Sequence, residues 1–374
     1  MPSQHIAFFL SELHGGGAQR VTINLLKTLC DLGEGSALRD RNFKIDLVLA
    51  KAEGPYLSQV PPQVRLIDLQ ATTLAASFPK LINYLKQEQP DYLVAALHGA
   101  CLLAIWAKKL TKIQTKIIVT IHNTFSVEAK NYVSLRRKLL PSLIGYFYPQ
   151  ADKLVAVSQG TAENMAEALK IPISQIQVVY NPVVTPELQH QAQETITHPF
   201  FTSKTPVILG VGRLKKAKDF TTLIDAFARV KKVTAAKLCI LGEGEERQNL
   251  ETLIQKLDLE ADVSLPGFIN NPYPYMAQAQ LFVLSSLWEG LPTVLIEAMA
   301  CGTNVVATDC PSGPREILAG GKYGKLVATQ DPEALANAIL ETLENPIGSD
   351  LLRSRAADFS QDRIGERYLE IFNN

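Results

Sequence analysis

Along the chain, short runs of four to seven apolar or β-branched residues recur, each followed by a turn and a longer segment with apolar positions three and four apart. The first pattern predicts buried strands and the second amphipathic helices, so the chain reads as a βα alternation. Strands are predicted at 5–10, 44–50, 64–68, 91–96, 116–121, 153–157 and 176–180, then at 206–211, 237–241, 262–265, 281–284, 304–308 and 325–328. Such alternation builds parallel sheets covered on both faces, with ligands beyond the carboxyl ends of the strands.

The two series are separated by Asn181-Pro182 and a polar stretch, 189–204, poor in core-forming residues. This predicts an α/β chain of two Rossmann-like domains facing each other across a ligand cleft. The expected bounds are 1–185 for the first domain, 186–204 for a linker and 205–349 for the second domain. The final segment, 350–374, has helical spacing at Leu351, Ile364, Tyr368, Ile371 and Phe372 and can pack back on the first domain. A length of 374 residues fits two domains at roughly 150 residues each.

Composition narrows the partners. Lys plus Arg and Asp plus Glu both total 37, so no global field favours nucleic acid and any anion site must be local. Five scattered cysteines without a Cys-x-x-Cys pair argue against a disulfide framework or structural zinc and for a reducing compartment. The start of the chain lacks a basic leader, and the longest apolar stretch, 93–107, is interrupted at His98 and Gly99 and is shorter than the ~20 residues of a membrane span. A cytoplasmic protein is expected.

The densest chemistry lies in 284–302. An apolar strand ends near Leu284, the turn Gly290-Leu291-Pro292 follows, and Pro292 suits the first position of the next helix. Glu289 and Glu297 bracket that helix start, where bare N–H groups attract anionic or hydroxyl-rich ligands. Glu297, embedded in an apolar helix, needs a partner; a solvated helix face is the alternative. After the strand ending at Val211 come Gly212, Arg213, Lys215, Lys216 and Lys218. Arg213 as a rigid fork and Lys218 as a point charge suit a diphosphate, although a solvated basic loop has the same composition. Gly242 and Gly244 form a further turn that lets backbone approach a ligand. Gly15, Gly16 and Gly17 lie between the first strand and first helix, yet match neither Gly-x-Gly-x-x-Gly nor a Gly-Lys-Ser/Thr loop, which disfavours nicotinamide and triphosphatase readings. His122 ends a strand and points at the same edge or serves as a structural residue. His14 is a second candidate, whereas His190 and His198 are expected to be exposed. The six histidines form no metal pattern, and no Asp-x-Asp is present to hold a divalent ion against a diphosphate.

Together these segments resemble the retaining glycosyltransferases of family 4, two-domain enzymes of the GT-B fold. The resemblance rests on Glu289-x7-Glu297 within 285–302, on Val211-Gly212-Arg213 with Lys218, on Val157-Ser158 with Gly160, and on Asn181-Pro182; it covers 150–330 and the first glycine turn. It implies that Arg213 and Lys218 contact the donor diphosphate and Glu297 the ribose hydroxyls. Glu289, with the N–H groups of Gly290, Leu291 and Thr293 around Pro292, would grip the transferred sugar. Gly16 and Gly17 would close over the phosphates, His122 would approach the sugar, and Gly267 with Phe268 would border the base. Gln19 stands where relatives carry Glu.

The resemblance also implies transfer of a hexose or N-acetylhexosamine from a nucleotide sugar, with 309–318 pointing to UDP, onto a glycan or lipid-linked glycan, with retention and without a metal or other cofactor. The segment 132–148 combines Arg136, Arg137 and Lys138 with aromatic residues; it either rests on the anionic inner face of the cytoplasmic membrane or forms a core helix with one basic face. Two rivals remain: a non-hydrolysing UDP-sugar epimerase, which needs no acceptor, and a nucleotide-sugar-binding subunit without transfer activity.

Overall fold

A computed structural model describes residues 4–14, 16–35, 43–130 and 139–373. Each of the thirteen predicted strands is present: β1 Gln4–Leu10, β2 Phe43–Leu49, β3 Arg65–Asp68, β4 Tyr92–Ala96, β5 Lys116–Ile121, β6 Lys153–Ala156, β7 Ile176–Val178, β8 Val207–Val211, β9 Lys237–Leu241, β10 Val263–Gly267, β11 Leu281–Leu284, β12 Asn304–Thr308 and β13 Lys325–Val327. The chain divides into two compact units, one of Met1–Pro182 with Gln361–Asn374 and the other of Val183–Ser360.

The first unit holds a seven-stranded sheet in the order β3-β2-β1-β4-β5-β6-β7. Its strand pairs are parallel, with Ile6 opposite Ile45 on one side and Tyr92 on the other. Consecutive strands need a crossover to run parallel, and helices such as Gly17–Gly35, Phe78–Glu88, His98–Thr111 and Gln159–Leu169 supply it. Local chemistry sets their ends. Ser158 caps the last of these by accepting from Thr161 N–H at 3.1 Å, and Lys170 ends it in a left-handed turn, φ 56°. The helix Gln361–Asn373 belongs to this unit. Its Ile364, Tyr368, Ile371 and Phe372 bury against Ile23, Leu26 and neighbours, and Tyr92 Oη donates to Phe372 O at 2.6 Å.

In the middle of β2, Asp46 is fully buried. Its carboxylate accepts from Arg65 Nε at 2.9 Å and Nη2 at 2.6 Å and from Tyr84 Oη at 2.5 Å, and His5 Nε2 lies 2.8 Å away. Burial alone would raise the Asp46 pKa; these hydrogen bonds prevail and hold it well below the usual carboxylate range.

The second unit holds a six-stranded parallel sheet in the order β10-β9-β8-β11-β12-β13. Its core packs Leu223, Ile224 and Phe227 of the helix Phe220–Val230 against Ile208, Leu238 and Ile240 of the sheet. Asp219 starts that helix, accepting from the Thr222 hydroxyl at 2.6 Å. The stretch 186–204, read as a linker, carries the helix Pro186–Gln191 with Leu188 buried and the 3-10 turn Pro199–Phe201, and it groups with this unit. His198 is half-buried rather than exposed, against Phe200, Phe201 and Tyr275, with Nε2 3.0 Å from Ser264 Oγ. Aromatic neighbours cover a ring that composition alone leaves in solvent. No helix among the described residues is long and apolar enough to cross a membrane.

Candidate active site

In an open parallel sheet, the ligand crevice lies where neighbouring strands send their connections in opposite directions. In the second unit that point falls between β8 and β11, which pair Leu281 with Ile208. The loops after Val211 and Leu284 therefore open side by side, and they carry the predicted residues.

Lys218 Nζ donates to Glu289 Oε1 at 2.5 Å, and the Ser286 hydroxyl donates to the same oxygen at 2.6 Å. Both charged side chains are well sheltered, 16% and 13% exposed, too enclosed to be discounted as a surface ion pair. Glycine at 212 makes room for the lysine stem, since a Cβ there would come within 3.2 Å of Lys218 Cε. The two loops are tied through backbone as well. Ser285 Oγ donates to Lys218 O at 2.7 Å and Leu287 N–H to Ala217 O at 2.8 Å. From the next loop, Thr308 Oγ1 donates to Ser286 O at 2.6 Å, while Glu289 N–H reaches Pro311 O at 3.2 Å. Ser285, Ser286 and Thr308 are buried, so the ion pair sits on a fixed polar floor.

Arg213 is exposed at the rim of the same loop. Behind it, Gly242 has φ 148°, and a Cβ there would lie 1.9 Å from Gly212 O. At Gly244 a Cβ would lie 2.2 Å from Leu214 O. The loops after β8 and β9 thus stack backbone on backbone, with Leu214 N–H donating to Glu243 O at 2.8 Å and Gly242 N–H to Gly267 O at 2.8 Å. Beside Gly267, Phe268 exposes 60% of its surface. An exposed ring at a strand end is suited to stack on a planar group.

Glu297 is buried within the helix Thr293–Ala300, while Gly290 and Leu291 are buried at its entry. Pro292 is not the first helical residue, as expected, but the N-cap. Its φ of −71° suits a helix, yet its ψ of 94° is extended, so the helical path begins at Thr293. Gly313 permits this turn, because a Cβ there would strike Pro292 Cδ at 2.4 Å.

In the first unit the corresponding point lies between β1 and β4. Gly16 and Gly17 follow β1; a Cβ on Gly16 would meet Gln19 Oε1 at 2.4 Å, whereas Gly17, the first residue of the helix Gly17–Gly35, has nothing within 4 Å. That helix has no acidic residue in its first turn, leaving its N-terminal dipole uncompensated there. Gly15 lies outside the described residues, as does 132–138 of the basic segment 132–148; its remainder includes the helix Leu140–Phe147. His122 directly follows β5, with Nε2 3.0 Å from Thr120 Oγ1. Burial, and secondarily the charge of His98, push its pKa down to about 4, so the ring is neutral at ordinary pH. His14 is exposed, 3.6 Å from Glu53.

Sequence reading missed two groups. Ser286 lies within 285–302 without an assigned role, and its signal is a small polar pair, Ser285-Ser286, ending an apolar strand. His98 was read only as a break in an apolar run. It follows Leu97, whose φ of 71° is unusual for a non-glycine residue, and its Nδ1 lies 2.7 Å from Tyr148 Oη. Among the described residues two groups place three ligand atoms close together, His5-Asp46-Glu88 and Glu12-His14-Glu53. The first is engaged by Arg65 and Tyr84 and the second by Lys51, 2.6 Å from Glu53.

Comparison with known proteins is consistent across the chain. The family model "Glycosyltransferase Family 4" matches residues 15–186, and "Glycosyl transferases group 1" matches 192–361. A Campylobacter jejuni relative, N-acetylgalactosamine-N,N'-diacetylbacillosaminyl-diphospho-undecaprenol 4-alpha-N-acetylgalactosaminyltransferase, is 33% identical over 91% of each chain. Among solved structures, sucrose-phosphate synthase of Thermosynechococcus elongatus superposes with a TM-score of 0.81 at 22% identity, over 99% of this chain and 98% of that one. Anabaena HepE in complex with UDP and glucose gives 0.77 at 21% over 99% of each.

Proposed function

Because the chain belongs to the family 4 glycosyltransferases, we propose that it moves a hexose or N-acetylhexosamine from a UDP-sugar to a lipid-linked glycan, with retention and without a metal ion. The observation that carries this reading is the Lys218–Glu289–Ser286 cluster at the β8/β11 switch point, beside exposed Arg213 and a helix start holding buried Glu297. UDP is supported by the Anabaena neighbour, solved with UDP and glucose. The acceptor class is supported by the Campylobacter relative, whose name specifies a diphospho-undecaprenol-linked acceptor.

In this reading the acceptor hydroxyl attacks the anomeric carbon from the face that the diphosphate leaves. The bond from that carbon to the β-phosphate oxygen breaks, the hydroxyl proton passes to a β-phosphate oxygen, and UDP and an α-glycoside result. Charge develops on the departing diphosphate, and fixed cations there lower the barrier without rearranging. Lys218, held by Glu289, whose carboxylate Ser286 fixes in turn, and Arg213 are assigned that role, which a divalent ion performs in other enzymes. Glu297 is assigned to the ribose hydroxyls, and Glu289 with the N–H groups of Gly290, Leu291 and Thr293 to the sugar. Phe268, beside Gly267, borders the base, and Gly242 and Gly244 let backbone come close. Gly16 and Gly17 are assigned to the phosphates, and neutral His122 offers a hydrogen bond to a sugar hydroxyl. A lipid-linked acceptor would place the protein peripherally at the cytoplasmic face of a membrane.

Incubation with UDP-hexoses and UDP-N-acetylhexosamines, with and without undecaprenyl-diphosphate-linked glycans and chelator, tests the reading. It predicts an acceptor-dependent α-linked product unaffected by chelator. An isomerised free UDP-sugar would establish the epimerase instead, and donor binding without transfer to any acceptor would establish a binding subunit.

A further inference from the structure

In the first unit the loop after β2, residues 50–56, holds the glycine turn after β1 from both sides. The β1–β2 pairing first continues past the strand ends, with Ala50 N–H donating to Leu10 O at 3.0 Å and Lys51 N–H to Ser11 O at 3.0 Å. The donation then reverses, and Leu13 N–H reaches Glu53 O at 2.9 Å. Gly54 follows with φ 119°, and a Cβ there would lie 2.3 Å from Leu13 C and 2.6 Å from His14 N. Only glycine lets one backbone press this closely on the Leu13–His14 peptide. Beyond the turn, Arg20 lies in the first turn of the helix Gly17–Gly35. Its Nε donates to Tyr56 Oη at 3.3 Å, and its guanidinium stands 5.3 Å above the Tyr56 ring. Leu13 and Tyr56 are both buried, so core packing fixes the two anchors.

The second unit repeats the first of these joints. There Leu214, fully buried like Leu13, donates its N–H to Glu243 O at 2.8 Å. Gly244 follows that glutamate as Gly54 follows Glu53. A Cβ on Gly244 would lie 2.2 Å from Leu214 O, and one on Gly54 2.4 Å from Leu13 O. Each joint therefore pairs a buried leucine with Glu-Gly from the next loop, where the first strand of its sheet releases the chain toward the switch point. In the second unit the chain so released carries Lys218, and in the first it carries Gly16 and Gly17.

We infer that Gly54 and Tyr56 are positioning residues for the turn at Gly16 and Gly17: they fix the direction in which the chain leaves β1 and enters the helix. The inference rests on the reading that Gly16 and Gly17 receive the donor phosphates. Glycines give a turn little stiffness of its own, whereas a group that meets phosphate contributes most when it is set before the ligand arrives. The loop after β2 supplies that stiffness from outside the turn.

Titration of the full chain with UDP, and with uridine, which lacks the phosphates, tests the inference. Gly54→Ala is expected to weaken UDP binding by more than about tenfold. Tyr56→Phe, which removes one hydrogen bond and keeps the ring, should weaken it by about threefold. Uridine should bind both variants as it binds the parent. A merely structural role would lower the melting temperature without changing the preference for UDP over uridine. Should Gly54→Ala not fold, Tyr56→Phe decides alone. Variants that keep the parent's ratio of UDP to uridine affinity overturn the proposal, and so does an equal loss of both ligands. A parent that binds UDP no more tightly than uridine overturns the phosphate reading itself, and this inference with it.

Discussion

Lys218 Nζ donates to Glu289 Oε1 at 2.5 Å, joining the loop after β8 to the loop after β11 at the switch point of the second sheet. The contact restrains both side chains at once, because Ser286 holds the same carboxylate oxygen. A lysine held this way is oriented before any anion arrives, which is the condition under which a fixed charge contributes most to catalysis.

Lys218→Ala is therefore expected to lower kcat by about 100- to 1000-fold, with a smaller change in donor KM. Steady-state kinetics with a UDP-sugar and acceptor measure it. Thermal denaturation of the same variant separates lost catalysis from a loosened loop, and unchanged kcat would remove Lys218 from the reaction.

Gly242→Ala tests the stacked loops. At φ 148° its Cβ would lie 1.9 Å from Gly212 O, a clash with backbone that no rotamer relieves. Destabilisation by more than about 2 kcal/mol is expected, together with weaker UDP binding. Urea denaturation and calorimetry measure the two effects, and a midpoint equal to the parent's would contradict the packing described.

Asp46 gives the first unit a dependence on acid. A carboxylate whose native pKa is depressed adds stability above its unfolded pKa of about 3.9 and loses it as pH falls below that value. Urea midpoints should thus decline below about pH 4 in the parent. Asp46→Asn should start less stable and lose less over the same range; parallel curves for both proteins would dismiss the network as the cause.

His122 carries the same sign for a different reason. Its native pKa of about 4 lies below the unfolded ~6.5, so burial of the neutral ring favours folding above that value and progressively less as pH falls toward 4. Proton NMR should show the His122 ring titrating near 4, and a midpoint near 6.5 would mean that the ring is solvated.

The strands were legible because a strand buried on both faces has to be a short apolar run, as in Val207-Ile208-Leu209 and Leu281-Phe282-Val283. Charged residues at strand ends were legible for the converse reason. A cation or carboxylate directly after such a run has to emerge at the carboxyl edge, which singled out Arg213, Lys218 and Glu289. Contacts between loops distant in sequence were not legible. The reach of Lys218 to Glu289, 71 residues away, depends on β8 and β11 being neighbours, a fact of strand order rather than local pattern. The Asp46 network was hidden likewise, since His5, Arg65 and Tyr84 belong to three other elements. Polar composition misled at 186–204, where one buried leucine, Leu188, and a ring cluster around His198 suffice to order the chain.

The central claim is that Arg213 and Lys218 receive the diphosphate without a metal. Titration calorimetry of UDP, with and without EDTA, against the parent and the Arg213→Ala/Lys218→Ala double variant tests it most directly. Chelator should leave parent affinity unchanged, and the double variant should bind at least about 100-fold more weakly. Equal UDP affinity in parent and double variant, or loss of parent binding in EDTA, would contradict it.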